Sequence, residues 1–212
     1  MEPSLVLASQ SPGRAGLLQK ACIPFDTVVS HVDEDAVVAA EGPLSPPDTA
    51  LRLARAKAEA VAALPGGFGR LVLGCDSVFE LDGRCYGKPH DPAVAVERIG
   101  AMSGRVGTLH TGHWLVDARR APALGEGSIR SAHVHFAPLS AQEIRDYVAT
   151  GEPLEVAGSF TLDGRGSLFI ERVDGDPNAV IGLSLAAVRE LLRAVGVSMT
   201  SWWDATAQRS PS

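Results

Sequence analysis

Short apolar runs of strand length alternate along this chain with segments of helical periodicity, and this alternation constrains the fold more than any other feature. It favours a layered α/β arrangement over a β-sandwich or a helical bundle. The expected elements are strands at 5–8, 25–29, 106–117 and 128–137, a buried strand that breaks at Gly74, and helices at about 12–22, 49–64, 92–102, 140–149 and 185–195.

Local signals fix some turns and caps of this pattern. The pair Asp82-Gly83 is typical of type I′ turns and predicts a hairpin. Ser140 and Glu143 match a capping box, which predicts the start of a helix. The segment 150–184 is expected to be rich in strands.

No linker, repeat or low-complexity segment divides the chain. We therefore expect one domain over 1–200, with two lobes around a cleft, and a C-terminal tail over 201–212. Trp202 and Trp203 are expected to cover either a core edge or a subunit contact.

The charge of the chain limits its partners. A formal net charge of −6 argues against nucleic-acid binding, which requires a basic surface. A few cations focused in a cleft could still capture one small phosphate chain. We therefore expect a small anionic ligand rather than a polyanion.

The cysteines and the apolar segments indicate a compartment. Cys22, Cys75 and Cys85 are three in number and show no CxxC spacing, so neither a disulfide framework nor a zinc site is indicated. No apolar run reaches the ~18 residues of a membrane span. The start "MEPSLVLASQ" lacks the features of a signal peptide. These observations predict a cytoplasmic protein without a membrane partner.

The stretch "LVLASQSPGR" turns directly from a strand into a helix. Ser11 is a good N-cap, and Pro12 suits the first helical position. Free backbone N–H groups at a helix start attract anions, and Ser9, Ser11 and Arg14 add hydroxyls and a positive charge there. The stretch is therefore either a phosphate site or an ordinary capped helix with a surface arginine.

Two further charged residues stand where they are not expected. Lys57 shares a helical row with Leu53, Val61 and Leu64, so it is either a cleft cation or a side chain whose ammonium reaches water. Asp76 follows a buried strand, at the sheet edge where ligands gather in open α/β folds. It either binds a cation or activates water, or it satisfies turn amides.

Other patterns are rejected. Lys88 in "YGKPHD" does not complete a P-loop, because Asp82 stands where glycine is required and Pro89 where serine or threonine is required. His133 and His135 share one face of a strand, but no third ligand is spaced to join them in a metal site. Cross-strand packing of these two histidines is the expected alternative.

Seven motifs follow one another along the sequence: "LASQSPGRAGLL", "VDED", "RLARAKA", "GCDSV", "GKP", "TGEPLEVAGSFTLDG" and "DPNAVIGLSL". Together they resemble the Maf family, in an actinobacterial form, over about residues 4 to 195. The resemblance implies a Maf/Ham1 (ITPase-like) α/β fold, with a twisted mixed sheet flanked by helices, and a homodimer. It implies a nucleoside triphosphate pyrophosphatase that uses Mg²⁺ or Mn²⁺, with a house-cleaning role and a link to septum formation.

The resemblance also implies roles for individual residues. Asp76 corresponds to the catalytic base, and Glu34 to the acidic residue that would hold the metal together with Asp76. The cations that handle the phosphates correspond to Arg14, Lys57 and Lys88, which agrees with the sites inferred from the residues themselves.

Two departures from the family pattern concern the base of the substrate. The common "SPRR" is "SPGR" here, so Gly13 replaces an arginine, and Asp163 stands where many members carry glutamine. Members with a similar pattern are associated with 7-methylguanine nucleotides, so we expect Asp163 to favour guanine-type or methylated purine triphosphates over dTTP and UTP. The alternative is that Asp163 faces solvent in a turn.

Two other functions stay open at this point. The protein could sense nucleotides and regulate cell division without turnover. It could also be a phosphatase that releases orthophosphate, because similar residues would serve that reaction at a different phosphorus atom.

Overall fold

A computed structural model describes residues 5–203 and shows one seven-stranded mixed sheet. Six strands lie in the order β2-β1-β3-β5-β6-β7, and β4 pairs with β3 off this path. The pairs β1–β2 and β1–β3 are parallel, and the other pairs are antiparallel. The strands are β1 Leu5–Leu7, β2 Phe25–Thr27, β3 Leu71–Leu81, β4 Arg84–Tyr86, β5 Val106–Asp117, β6 Leu124–Phe136 and β7 Ile170–Asp174.

Within residues 5–203, seven α-helices flank this sheet, and each begins at a serine or aspartate whose side chain accepts a hydrogen bond from a backbone N–H group of the first turn. The predicted α/β fold is therefore confirmed. The helices are α1 Pro12–Lys20, α2 Glu34–Glu41, α3 Pro46–Ala62, α4 Pro92–Met102, α5 Ala141–Ala149, α6 Pro177–Ile181 and α7 Leu185–Ala194. No helix within residues 5–203 is both long enough and apolar enough to cross a membrane.

The two faces of the sheet carry separate cores. Leu71, Leu73 and Cys75 of β3 point to one face and pack against helices α1 and α7. Val72 points to the opposite face, where it packs with Ala58 and Val61 of α3 and other residues. This alternation follows from the period of two in a strand.

Two expectations about the elements are wrong, and one helix was missed. The sequence predicts a break at Gly74, but β3 continues through it from Leu71 to Leu81. Helix α2 was not expected. The segment 150–184 contains one strand, β7, together with helix α6 and three 3₁₀ turns at Glu152–Glu155, Ala157–Ser159 and Arg165–Phe169.

The predicted hairpin and capping box are confirmed. Asp82 and Gly83 both have positive φ, 53° and 73°, as a type I′ turn requires, and they connect β3 to β4. The Ser140 and Glu143 side chains each accept a hydrogen bond from the other residue's backbone N–H.

The two tryptophans near the C-terminus have different surroundings. Trp202 is 2% exposed and belongs to the core cluster of α1 and α7, so it covers a core edge. Trp203 is half exposed, and its indole N–H donates to the Ala21 carbonyl at 2.9 Å. The predicted tail begins at residue 201 and so includes both tryptophans. Its remaining residues 204–212 lie outside the described part of the chain.

His113 of β5 is fully buried and held in its neutral form. Its Nδ1–H donates to the Ser128 carbonyl at 3.4 Å, and its Nε2 accepts the Ser184 N–H at 2.8 Å. Burial lowers the pKa of His113 from 6.5 to about 4. The neutral ring therefore joins β5 to the start of α7.

We expect His113 to lower the free energy of unfolding as the pH is decreased. Below pH 6.5 His113 binds a proton in the unfolded chain, but in the folded chain it stays neutral until the pH reaches about 4. Stability is therefore lost as the pH falls through this window. The loss from pH 7 to pH 5 should be about 2 kcal/mol. Urea unfolding at both pH values measures it. His113→Gln should remove this part of the pH dependence, and an unchanged dependence in the variant would contradict the assignment.

Candidate active site

One side of β3 is left without a strand neighbour in its middle. β1 pairs with β3 through Leu73, and β4 pairs with it from Phe79 onward. Between them, no strand in residues 5–203 pairs with that side of residues 74–78, which we call the open edge. Asp76 and Ser77 lie on this edge, and their side chains point to opposite faces of the sheet because they are consecutive in a strand.

On the face covered by α3, a buried ammonium group lies between two carboxylates. The Lys57 side chain is 11% exposed, and its Nζ lies 2.8 Å from Oε1 of Glu34 and forms a second ion pair with Oδ1 of Asp76. Glu34 is the first residue of α2, and its side chain is half exposed. Lys57 therefore does not extend its ammonium into water, which was one of the two expectations for it.

The environment of Asp76 makes its carboxylate a stronger base. Burial raises the pKa of Asp76, and the charges of Lys57 and Arg14 oppose that rise without cancelling it. The sequence predicts Asp76 at the end of its strand, but β3 continues for five residues beyond it. Its side chain pairs with Lys57 rather than with turn amides.

On the opposite face, Arg14 of α1 is held by three neighbours. Its Nε donates to the Gly182 carbonyl at 2.8 Å, Nη1 donates to Ser9 Oγ at 3.1 Å, and Nη2 donates to Ser77 Oγ at 3.3 Å. These bonds use three of the five guanidinium N–H groups. Within the described residues, one N–H on each terminal nitrogen is left for an anion.

The predicted turn from β1 into α1 is confirmed. Ser11 is the N-cap of α1, and its Oγ accepts the Arg14 N–H at 3.4 Å. Ser9 Oγ accepts the Ser11 N–H at 3.2 Å as well as the Arg14 guanidinium. Both hydroxyls therefore order the start of the helix beside Arg14.

The remaining predicted residues lie around this centre without joining it. Lys88 is exposed and has no hydrogen bond or ion pair with the part of the chain that the structure describes; it follows β4, whose antiparallel direction leads toward the open edge. Asp163 is exposed, but its carboxylate faces α1, since a Cβ atom on Gly13 would lie 3.4 Å from Asp163 Oδ2. The two departures from the family pattern are thus spatial neighbours.

Ser77 and Gly182 were missed as partners of Arg14. Ser77 stands in the motif "GCDSV", where the period of two in a strand places it on the face opposite Asp76. That period was the available signal for Ser77. The contact with Gly182 spans 168 residues, and no local pattern reveals it.

The histidine pair on β6 behaves as the packing alternative predicted. His133 Nδ1 lies 3.0 Å from Thr108 Oγ1, and His135 Nε2 lies 2.8 Å from Asp174 Oδ2. No group of three or more histidine, cysteine or acidic residues in 5–203 is arranged to hold a metal ion by itself. These histidines therefore support the sheet.

The oxygen donors near Lys57 fit the requirements of a hard divalent cation. Asp76 and Glu34 come from separate elements and converge on the same ammonium nitrogen, so the two carboxylates already surround a positive charge. Mg²⁺ is commonly bound by one or two carboxylates, with phosphate oxygens and water completing its shell. Two carboxylates therefore suffice if a phosphate chain supplies the other ligands.

Known proteins are similar to this chain over almost its whole length. A nucleoside triphosphate pyrophosphatase of Streptomyces coelicolor is 50% identical over 199 residues, covering 94% of this chain and 94% of its own. That of Leifsonia xyli is 49% identical, covering 94% and 96%. That of Synechococcus sp. (strain JA-3-3Ab) is 47% identical, covering 96% and 100%.

A family model also matches this chain, over a range that includes both the sheet and the candidate site. The model of the family described as "Maf-like protein" matches residues 4–195, a range that includes every candidate residue named above. The resemblance seen in the ordered motifs is therefore confirmed. By this match and by relatives that cover it almost from end to end, the chain belongs to the Maf-like protein family.

Proposed function

We propose that this protein hydrolyses a nucleoside triphosphate to the nucleoside monophosphate and pyrophosphate. The observation that carries the proposal is a buried carboxylate on the open edge of β3, with its pKa raised, which pairs with Lys57 and feels the charge of Arg14 on the opposite face of the sheet. The name of the relatives at 47 to 50% identity supports the same reaction. Cleavage at the α-phosphate requires a base for water and cations for the leaving group.

The residues divide this work between the two faces of the sheet. Asp76 takes the proton of the attacking water, whose oxygen bonds to the α-phosphorus as the bond to the bridging oxygen breaks. Arg14 binds the departing pyrophosphate through its remaining N–H groups. Ser9 and Ser11 order the helix start that faces the phosphates, and Lys57 and Lys88 add positive charge along the chain of phosphates.

A divalent cation, Mg²⁺ or Mn²⁺, would be held by Asp76 and Glu34. When bound, it would polarise the water and neutralise phosphate oxygens. Lys57 lies between the same carboxylates, so it keeps them together and balances their charge before substrate enters. The substrate supplies the remaining oxygen ligands.

Product analysis tests the proposal directly. Purified protein with Mg²⁺ or Mn²⁺ should convert a nucleoside triphosphate to monophosphate and pyrophosphate, which chromatography separates. Diphosphate with orthophosphate would instead identify a phosphatase. Tight nucleotide binding without turnover would favour the division-regulating sensor that the family's association with septum formation suggests, and either result would overturn the proposed reaction.

The neighbouring Gly13 and Asp163 support a preference among bases. A carboxylate accepts hydrogen bonds from guanine N1–H and the exocyclic amine, and it favours the positive charge of a 7-methylated ring. It repels the carbonyl oxygens of pyrimidines. We therefore propose that guanine-type or 7-methylated purine triphosphates, such as 7-methyl-GTP, are hydrolysed faster than dTTP and UTP.

We expect Asp163→Gln to reduce this preference by about tenfold, the scale of one hydrogen bond. The measurement is kcat/KM for GTP, 7-methyl-GTP, dTTP and UTP with both proteins. Asp146→Asn, on the exposed surface of α5, is the matched control and should leave the ratios unchanged. A wild-type enzyme that prefers dTTP or UTP, or ratios that Asp163→Gln does not move, would refute the role of Asp163.

The setting of the reaction is proposed on the same basis. We propose a cytoplasmic homodimer that removes unwanted nucleotides from the cellular pool, because the substrate is a small soluble anion and the family resemblance implies a dimer. Light scattering of the purified protein measures its mass in solution. A monomeric mass at micromolar concentration would contradict the dimer.

A further inference from the structure

A chain of hydroxyl groups connects Arg14 to the interior of the protein on the face opposite Asp76. Arg14 Nη2 donates to Ser77 Oγ at 3.3 Å, and Ser77 Oγ lies 2.9 Å from Thr111 Oγ1. Thr111 Oγ1 donates to the Ala179 carbonyl at 2.8 Å. Thr111 is fully buried on β5, so its hydroxyl has no access to solvent.

The direction of each hydrogen bond in this chain is determined by its ends. A carbonyl oxygen only accepts, so the single hydroxyl proton of Thr111 points to Ala179. Thr111 must then accept from Ser77, whose own single proton is used in that bond. Ser77 Oγ consequently presents only lone pairs to Arg14, which is the arrangement that a guanidinium donor requires.

This series of hydrogen bonds also closes into a ring through the backbone of α6. Ala179 lies in α6, and Gly182 directly follows that helix and accepts from Arg14 Nε at 2.8 Å. Arg14 thus donates to Ser77 on β3 and to Gly182 at the end of α6. Thr111 forms hydrogen bonds with the same serine and with Ala179 of the same helix. This fixes the plane of the guanidinium and the direction of its two remaining N–H groups.

We propose that Thr111 is a positioning residue for phosphate binding. Because Thr111 accepts the hydroxyl proton of Ser77, Ser77 Oγ is left as an acceptor that holds the guanidinium of Arg14. The inference rests on the proposed function only in that it takes a phosphate chain as the ligand of Arg14. Thr111 itself, buried in the sheet, does not touch the substrate.

The test measures binding of inorganic pyrophosphate to the full-length protein by calorimetry, with Mg²⁺ present, so it does not depend on turnover. Thr111→Val keeps the shape of the side chain and removes the hydroxyl, and it should weaken pyrophosphate binding about tenfold, the scale of one charge-assisted hydrogen bond. Thr111→Ser should restore binding to within about twofold. Thr108→Val, on the same strand and bonded to His133, is the control and should bind normally.

A double-mutant cycle separates positioning from a general structural effect. In an Arg14→Ala background, Thr111→Val should cause no further loss, because the two residues act as one unit. A structural effect would instead persist in full and would overturn the proposal. If Thr111→Val does not fold, the half-buried Ser77→Ala removes the same acceptor and should show the same loss and the same lack of additivity.

The outcomes also distinguish this inference from the proposed function. If Arg14→Ala binds pyrophosphate as well as the wild type does, the phosphate role of Arg14 fails and the positioning role fails with it. If Arg14→Ala weakens binding and Thr111→Val does not, the phosphate role survives and only the positioning role is wrong.

Discussion

Asp76→Asn is expected to lower kcat by at least ~10²-fold, the scale of removing a general base, while the protein stays folded. The amide keeps the shape of the carboxyl group but cannot take a proton from water. Because burial raises the pKa of Asp76, its ionised form is disfavoured by the fold at neutral pH, and a neutral amide relieves that cost. Lys57 keeps Glu34 as a partner at 2.8 Å, so its charge is not left alone. The melting temperature should therefore not fall.

Asp117→Asn provides the matched comparison, because Asp117 is also a buried aspartate of the sheet. Hydrogen bonds from Arg119 lower the pKa of Asp117, so its ionised form stabilises the fold above its unfolded pKa. Asp117→Asn should lower the melting temperature and leave kcat unchanged, which is the reverse of Asp76→Asn. Steady-state kinetics and thermal unfolding of both variants test the pair. Near wild-type turnover in Asp76→Asn would show that Asp76 is not the base.

The features that the sequence predicts well depend on neighbours in the chain. The cap at Ser11 and the hairpin at Asp82-Gly83 are set by residues within three positions, so local rules suffice for them. Lys57 and Asp76 were found as charges in apolar patterns. That pattern could not show that they meet, since their contact joins α3 to β3.

The features that were missed depend on distant contacts or lack an apolar pattern. Helix α2 has no buried residue, so it offers no hydrophobic period to detect. In the segment 150–184, Gly151 and Gly158 take positive φ, and Glu152 accepts hydrogen bonds from Thr161 and Gly166. These contacts favour 3₁₀ turns over the strands that local composition indicates.

Gly74 shows most clearly how a local rule fails. An isolated glycine in a strand pattern predicts a break or a bulge. Here the strand is regular, and the glycine is needed because α3 lies directly on it: a Cβ atom at Gly74 would be 2.1 Å from the Ala54 carbonyl oxygen and 2.8 Å from the Ala58 nitrogen. Gly112 of β5 makes a similar approach, with a Cβ atom 2.4 Å from the Ala50 carbonyl oxygen.

We therefore expect Gly74→Val to destabilise the protein by about 3 kcal/mol or more, at the upper end of overpacking effects, because the clashing atoms are backbone and cannot rotate away. Any helix displacement that relieves the clash also moves Lys57, which lies between Ala54 and Ala58 in the chain, away from Asp76. The folded fraction should consequently lose activity as well as stability. Urea unfolding and kcat of the native fraction measure the two losses.

Gly100→Ala on α4 separates this steric effect from the general effect of replacing glycine. A Cβ atom at Gly100 would meet no atom of residues 5–203 within 4 Å, so alanine should raise stability by about 0.5–1 kcal/mol through helix propensity. Opposite signs for Gly74→Val and Gly100→Ala would show that the contact with α3, rather than glycine itself, determines the outcome. Since the same contact brings Lys57 against Asp76, a Gly74→Val protein that unfolds at the wild-type urea midpoint with full activity would disprove the close approach of helix and strand on which the active site depends.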